Sequence, residues 1–349
     1  MEKQDQPHQR RPRYKGTHPK SFQEKYKELQ PELYADTVAG LIQKGKTPAG
    51  MHRPICVNEI LEILQVTPGQ VGLDATLGYG GHSEEILKCL LDKGHLYAID
   101  VDPLELPRAK ARLENLGYGS DRLSIRQMNF SELDQIAKEA GPLHFVLADL
   151  GVSSMQIDNP ERGFSFKREG PLDLRLNPQK GKSAAERLKT MTQEELQGLL
   201  TDNADEPNAF ILARAMISAR KKGVPLNTTT QLRDVIKDAL KVLPSQNREE
   251  EIKKACQRCF QALRIEVNHE LEALYVFLEK LPSVLASGGR VAILTFHSGE
   301  DRLVKKSFQH LYREGVYREI APDPIRPSQE ECNSNSRARS AKLRWAIKA

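Results

Sequence analysis

Apolar positions between Val71 and Leu150 fall into short continuous runs separated by stretches of helical spacing. The first run, Val71 to Leu73, ends in Asp74 and gives way to a glycine-dense turn, Gly78-Tyr79-Gly80-Gly81, and the helical pattern Glu84 to Leu91. The second, Leu96 to Ile99, closes on Asp100. Pro103 to Leu116 has helical spacing again, Leu123 to Phe130 is a third strand, and Leu143 to Leu150 (LHFVLADL) a fourth. Continuous apolar runs alternating with helices are what a parallel sheet covered on both faces requires.

After Leu150 the rhythm stops. Gly151 to Asn177 is a long loop punctuated by glycine and proline, a length that in compact domains usually serves function. Only helical patterns follow as far as about Ala255: Ala184 to Lys189, Thr192 to Leu200, Ala209 to Lys222 and Thr230 to Val242. Cys259 to Leu281 reads as one long helix returning to the sheet, and Gly288-Gly289 turns into a fifth strand, Arg290 to Phe296. Ile55 to Leu64 is the helix that opens the folded part, with His52 before it either lining a site or capping that helix. Ser21 to Lys44 has helical spacing broken near Pro31, and Met1 to about Lys20 is polar, basic and expected to be disordered. The pattern thus divides the chain into an N-terminal extension, 1–50; a sheet-bearing domain, 51–157 and 256–349; and an inserted loop and helical domain, 158–255.

The strand, glycine turn, helix and second strand ending in an acid form a layout that holds a nucleoside. Glycines let the backbone pass close to a ligand, and a helix N-terminus offers N–H groups without intrahelical partners. Asp100 is placed to accept hydrogen bonds from a ribose diol. A dinucleotide site needs G-x-G-x-x-G, whereas here Gly78-x-Gly80-Gly81 runs on into His82-Ser83 and the third glycine is missing. Asp74 would repel a pyrophosphate and suits a cationic ligand centre, which favours S-adenosylmethionine over NAD. In open α/β sheets ligands sit beyond the carboxyl ends of the strands. Asp74, Asp100, Asn129 and Asp149 all fall there, with His297-Ser298 following the fifth strand. Phe130 is either an adenine-stacking ring or a core phenylalanine; spacing leaves both open.

Composition narrows the partners. No run of eighteen apolar residues exists, so a helical membrane span is not expected. The net charge of +5 is mild, but both ends of the chain are basic, which suits a polyanion. On the helix Ala209 to Lys222, Arg214, Arg220, Lys221 and Lys222 share the polar side, so that face either meets RNA or is solvated. Five scattered cysteines fit a reduced, cytoplasmic protein, and Cys256-x-x-Cys259, without a second pair, reads as packing rather than metal binding. Early acids and the lack of an apolar core argue against a signal peptide.

Several blocks are more specific than any pattern. Asp149-Leu-Gly-Val-Ser-Ser154, Glu161-Arg-Gly-Phe-Ser-Phe166, Gly170-Pro-Leu-Asp173-Leu-Arg175, Phe260 to Asn268 (FQALRIEVN), Phe296-His297-Ser298 and Ser336-Arg-Ala-Arg339-Ser340 occur in this order. Together they resemble the bacterial MraW/RsmH methyltransferases, from about His52 to the C-terminus. The resemblance implies a class I S-adenosylmethionine-dependent methyltransferase (Rossmann-like) α/β fold with an inserted all-helical domain. It implies methylation of a cytosine N4 amine in 16S rRNA, the family target being cytosine 1402 of the decoding centre. It also implies S-adenosylmethionine contacts from Gly80, Gly81, His82, Asp100, Phe130, Asp149 and Gln156. Asp149 is the first candidate for polarising the N4 amine, with Asp173 and His297 as alternatives, and no metal is expected. The partner is 16S rRNA or the small ribosomal subunit, and a homodimer is left open. Three departures stand out: the extra N-terminal residues; Gly299, where the family has leucine after His-Ser; and Ala204-Asp205-Glu206-Pro207, where it tends to Gly-Glu-Glu-Arg. The competing readings are an NAD oxidoreductase, a methyltransferase of small molecules or proteins, a non-catalytic ribosome-assembly binder, and a relative acting on another RNA cytosine.

Overall fold

Among the described residues seven strands form one sheet, in the order β3-β2-β1-β4-β5-β7-β6. They are β1 (Val71–Asp74), β2 (His95–Asp100), β3 (Leu123–Gln127), β4 (Leu143–Asp149), β5 (Leu285–Thr295), β6 (Tyr317–Ile320) and β7 (Lys342–Lys348). The computed structural model describes residues 54–242, 244 and 246–349. The basic extension, the helix expected near residues 21–44 and His52 lie outside them. The first five strands are parallel, and β7 lies antiparallel between β5 and β6.

Side-chain alternation along the strands sorts the core onto two faces. Leu73, Ile99, Val146, Ala148 and Ile293 pack on one face against Phe277 and Leu281 of the helix Glu270–Val284. Leu96, Ala98, Phe145, Leu147 and Leu294 pack on the other, against the helices Val57–Leu64 (α1), Gly81–Leu90 (α2) and Leu106–Asn115 (α3). Gly72 is dictated by this packing, because a Cβ there would fall 2.1 Å from the Phe145 ring. The first face is completed by α4 (Asp134–Ala140), which packs beside the helix Glu270–Val284, and the short helix α5 (Ser154–Asp158) follows β4. Both faces are dry, which is why β1, β2 and β4 appear in the sequence as unbroken apolar runs.

The helical unit comprises α6 (Ala184–Thr190), α7 (Gln193–Ala204), α8 (Ala209–Lys221), α9 (Thr229–Ala239) and α10 (Arg248–Asn268). Ser183, Thr192 and Thr228 close capping boxes with Glu186, Glu195 and Gln231, so three helix starts are written locally. Its core contains Leu188, Leu200, Leu212, Leu232 and Leu263 together with Cys256 and Cys259, both of them buried thiols of α10. The boundary expected at residues 255/256 falls inside α10. The single helix expected over 259–281 is two, α10 and α11 (Glu270–Val284), separated by His269 at φ 51°. The remaining helices are α12 (Ser298–Arg313) and α13 (Gln329–Ser334). Gly288-Gly289 is not a turn before β5 but an irregularity within it, where pairing with β4 shifts register.

Candidate active site

The carboxyl ends of β1, β2, β4 and β5 carry the site. Asp74, last in β1, is almost wholly buried and accepts from the Ser83 hydroxyl (2.6 Å) and the Thr76 amide (3.1 Å). Those bonds fold the β1–α2 turn, and at 1% exposure the Asp74 carboxylate lies beneath it, whereas Asp100 is only partly covered. Gly80 enters α2 at φ 82°, and a Cβ there would come within 2.9 Å of Leu113. Only glycine satisfies both the left-handed backbone and that approach. Gly81 opens the helix beside Pro54.

Asp100 ends β2 and takes one amide on each oxygen, Gly78 N at 2.8 Å and Asp102 N at 2.9 Å. These bonds aim the carboxylate at the glycine turn and leave lone pairs for a diol. Burial raises its pKa to about 6, against the pull of the two amide bonds. Asp149, last in β4, holds its place through its amide on the Thr76 hydroxyl at 2.6 Å. Its Oδ2 lies 3.5 Å from His82 Nδ1, while Oδ1 is shielded from solvent without a hydrogen-bond partner among the described residues. Burial lifts this carboxyl to about 6 as well; His82 opposes the shift and Asp74 and Glu300 add to it. The His82 Nε2 sits 3.0 Å from the Ile55 carbonyl. A carbonyl only accepts, so Nε2 carries a hydrogen and Nδ1 is the nitrogen that faces Asp149.

The other expected residues are placed differently. Phe130 follows β3 and packs edge-on against Phe277, with ring centroids 5.2 Å apart. Gln156 closes the N-terminal capping box of α5 by accepting from Ser153 N at 2.7 Å, and its Nε2 donates to Asp102 at 2.7 Å. Both polar ends of Gln156 are thus engaged inside the chain. Asp173 is gripped on both oxygens by Arg175, at 2.6 and 2.8 Å. His297 caps α12, and its Nε2 lies 3.1 Å from Glu300 Oε1 but out of line for a hydrogen bond. Glu270 stands near this pair, with Arg264 across both of its oxygens at 2.8 and 2.9 Å. A Cβ on Gly299 would press on the His297 ring at 3.2 Å. Among the three catalytic candidates, Asp149 Oδ1 and His297 Nε2 are both buried and unpartnered among the described residues, whereas both Asp173 oxygens are held by Arg175; of these atoms only the Asp149 oxygen is a carboxylate acceptor.

Sequence reasoning passed over Asp102, Arg162, Thr76 and Asn268. Asp102 lies two residues beyond the acid that ends β2, a signal available in the sequence, while its partner Arg162 is sixty positions away. Arg220, expected on the polar face of α8, instead turns inward and donates to the Leu188 and Met191 carbonyls at 2.7 and 2.8 Å. Arg214, Lys221 and Lys222 are exposed.

Comparison with known proteins joins this geometry to a family. The MraW methylase family profile matches residues 49–349. The chain belongs to the MraW methylase family. Within it, the chain is 73% identical to "Ribosomal RNA small subunit methyltransferase H 2" of Alkaliphilus metalliredigens, over the full length of both. It is 65% identical to "Ribosomal RNA small subunit methyltransferase H 1" of Lachnoclostridium phytofermentans, over 100% of this chain and 95% of that one. A solved S-adenosylmethionine-dependent methyltransferase of Aquifex aeolicus is 11% identical, covering 89% of this chain and 98% of its own, with a TM-score of 0.38. The expected α/β sheet with an inserted helical unit is the one found, and its order, with β7 antiparallel beside β5, is that of a class I methyltransferase.

Proposed function

We propose that this MraW-family chain transfers a methyl group from S-adenosylmethionine to the N4 amine of a cytosine in small-subunit ribosomal RNA, at the family target, cytosine 1402 of 16S rRNA. The names of its relatives support the RNA, and the unpartnered Oδ1 of Asp149 carries the chemistry. The site fits the donor: a glycine cradle with no room for side chains at Gly80, a buried acid at Asp100 for the ribose, and buried negative charge for a cation. Gly80, Gly81, His82, Asp100 and Asp149 would hold it, with Phe130 and Gln156 forming the walls. Bound there, it supplies an electrophilic methyl on a sulfonium.

The protein's share is to make a poor nucleophile act. The N4 lone pair is delocalised into the cytosine ring, and a carboxylate accepting an N4–H bond localises it and balances the charge that develops. Asp149 Oδ1 offers that bond without giving up another. The proton released from N4 can pass to His82 Nδ1, whose ring is already oriented by the Ile55 carbonyl. The target base must leave its stack to reach a pocket at the sheet's rim. Among the described residues no helix is long and apolar enough to cross a membrane, and the expected setting is the cytoplasm, where ribosomal subunits assemble.

Mass spectrometry of ribosomal RNA from cells with and without the protein tests the reading. N4-methylcytidine at the target should vanish with the gene and return on complementation. An unchanged modification profile would overturn the assignment, and loss at another cytosine would move it to a different RNA target.

A further inference from the structure

Asp102 is completely buried, and its carboxylate is a junction. Oδ1 accepts from the amides of Leu104 and Glu105, at 2.9 and 3.3 Å. Oδ2 accepts from Gln156 Nε2 at 2.7 Å and from Arg162 Nη1 at 2.8 Å. The backbone amide of the same residue orients Asp100. Arg162, itself 5% exposed, uses its other terminal nitrogen to hold the carbonyls of Arg175 and Leu176, at 3.1 and 2.9 Å. Asn268 of α10 also grips this segment, accepting from Leu176 N and donating to Leu174 O, each at 2.7 Å. Between these two grips Leu174 adopts φ 65°, a conformation costly for a branched residue, and it is buried there. A strained backbone persists only where its surroundings over-determine it, and such places cluster at functional sites.

We propose that Arg162 is a positioning residue for methyl transfer: its buried guanidinium ties the strained segment Asp173–Leu176 to Asp102, and so fixes the Asp173–Arg175 pair relative to the acid that orients the cofactor. This rests on the methyl-transfer reading above and deepens it. Arg162 touches neither reactant. It sets the spacing between the cofactor edge of the sheet and the loop leading into the helical unit. Lysine could keep the charge pair with Asp102 but could not also fork onto two carbonyls, because its ammonium is a point donor rather than a planar fork.

Two variants test this, Arg162→Lys and Asn268→Ala, the second loosening the same segment without touching Asp102. Each is compared with wild type by single-turnover methylation of small-subunit rRNA at saturating S-adenosylmethionine and RNA. S-adenosylhomocysteine affinity is measured by calorimetry and thermal midpoint by circular dichroism. Misplacement of about 1 Å typically costs about a hundredfold in rate, so both variants should lose on that order at saturation, with cofactor affinity within about threefold of wild type. A merely structural role lowers the midpoint but leaves the saturated rate of the folded enzyme intact. Saturated rates near wild type in both variants would overturn the proposal. So would a rate loss in Arg162→Lys matched by an equal loss of cofactor affinity while Asn268→Ala is normal. If Arg162→Lys does not fold, Asn268→Ala decides. If the wild type methylates another atom, the N4 reading fails, and the same comparison on that acceptor still decides the role of Arg162.

Discussion

Replacing Asp149 by asparagine should make the protein more stable and nearly inactive at once. Burial raises this carboxyl from 3.8 to about 6, roughly two units, which corresponds to about 3 kcal/mol of cost to the folded state when the group is ionised. The side chain is 27% exposed, and solvent screening brings the working figure to about 1–2 kcal/mol. Asparagine removes the charge, and its amide can donate to His82 Nδ1. A gain of that size in a chain this long raises the thermal midpoint by about 2–3 °C. The pH dependence fixes the cause. A carboxyl whose folded pKa is raised lends relative stability below its unfolded pKa and loses it as pH climbs through the folded value. The two proteins should therefore be close in stability near pH 4, separate between about pH 4 and 6, and keep a constant gap above. Under saturating S-adenosylmethionine and RNA, losing the acceptor should cost a factor of roughly a hundred to a thousand in single-turnover rate. A variant less stable than wild type at pH 7, or a gap indifferent to pH, would refute the burial argument. A near-normal rate at saturation would leave Asp149 as a cofactor-binding group only and return attention to Asp173 and His297.

Other outcomes follow from the same geometry. Asp100→Ala should weaken S-adenosylmethionine binding by about 1–3 kcal/mol with the fold retained, and unchanged calorimetric affinity would end the ribose assignment. In wild type that affinity should rise from pH 5 to 7 and then level off, because Asp100 and Asp149, both near 6, must ionise to hold a diol and a cation; a flat profile would contradict both roles. Glutamine at Arg214, Lys221 and Lys222 should flatten the salt dependence of RNA affinity without altering cofactor affinity, and an unchanged slope would mark that face as solvated. Arg220→Ala should instead lower the thermal midpoint, since it strands two carbonyls at the end of α6.

Much of this was legible in the chain, and the parts that were not share a cause. Strands β1, β2 and β4 announce themselves because both sheet faces are dry there, and the acids at their ends mark the rim. β6, Tyr317–Ile320, was not anticipated: it has four residues at the sheet's edge, with two charged side chains exposed to water. The break at His269 carries no glycine or proline. It is held by tertiary bonds, Arg187 onto the His269 ring at 3.3 Å and Asn268 onto the loop, which no local pattern encodes. Arg220 was placed on a face that meets RNA or water, because periodicity tells which way a helix face points, not where a long side chain folds back. The role of Gln156 depended on a remote partner too, Asp102, 54 positions earlier, whereas the partner of Asp173, Arg175, stands two residues along.

The order of the sheet also bears on how the chain is made. β4 and β5 are neighbours, yet roughly 135 residues separate Asp149 from Leu285, a span whose closure as loose chain carries an entropy cost growing with the logarithm of its length. The intervening helices pack on one another, α8 against α7 and α9, and α10 back against α7, around a core of their own. A nascent chain that has not yet reached Leu285 therefore carries a helical unit able to form while the β4 edge stands bare. Once formed, that unit shortens the gap β5 must cross to cover the edge, so the segment that separates the two strands in sequence also hastens their meeting during synthesis.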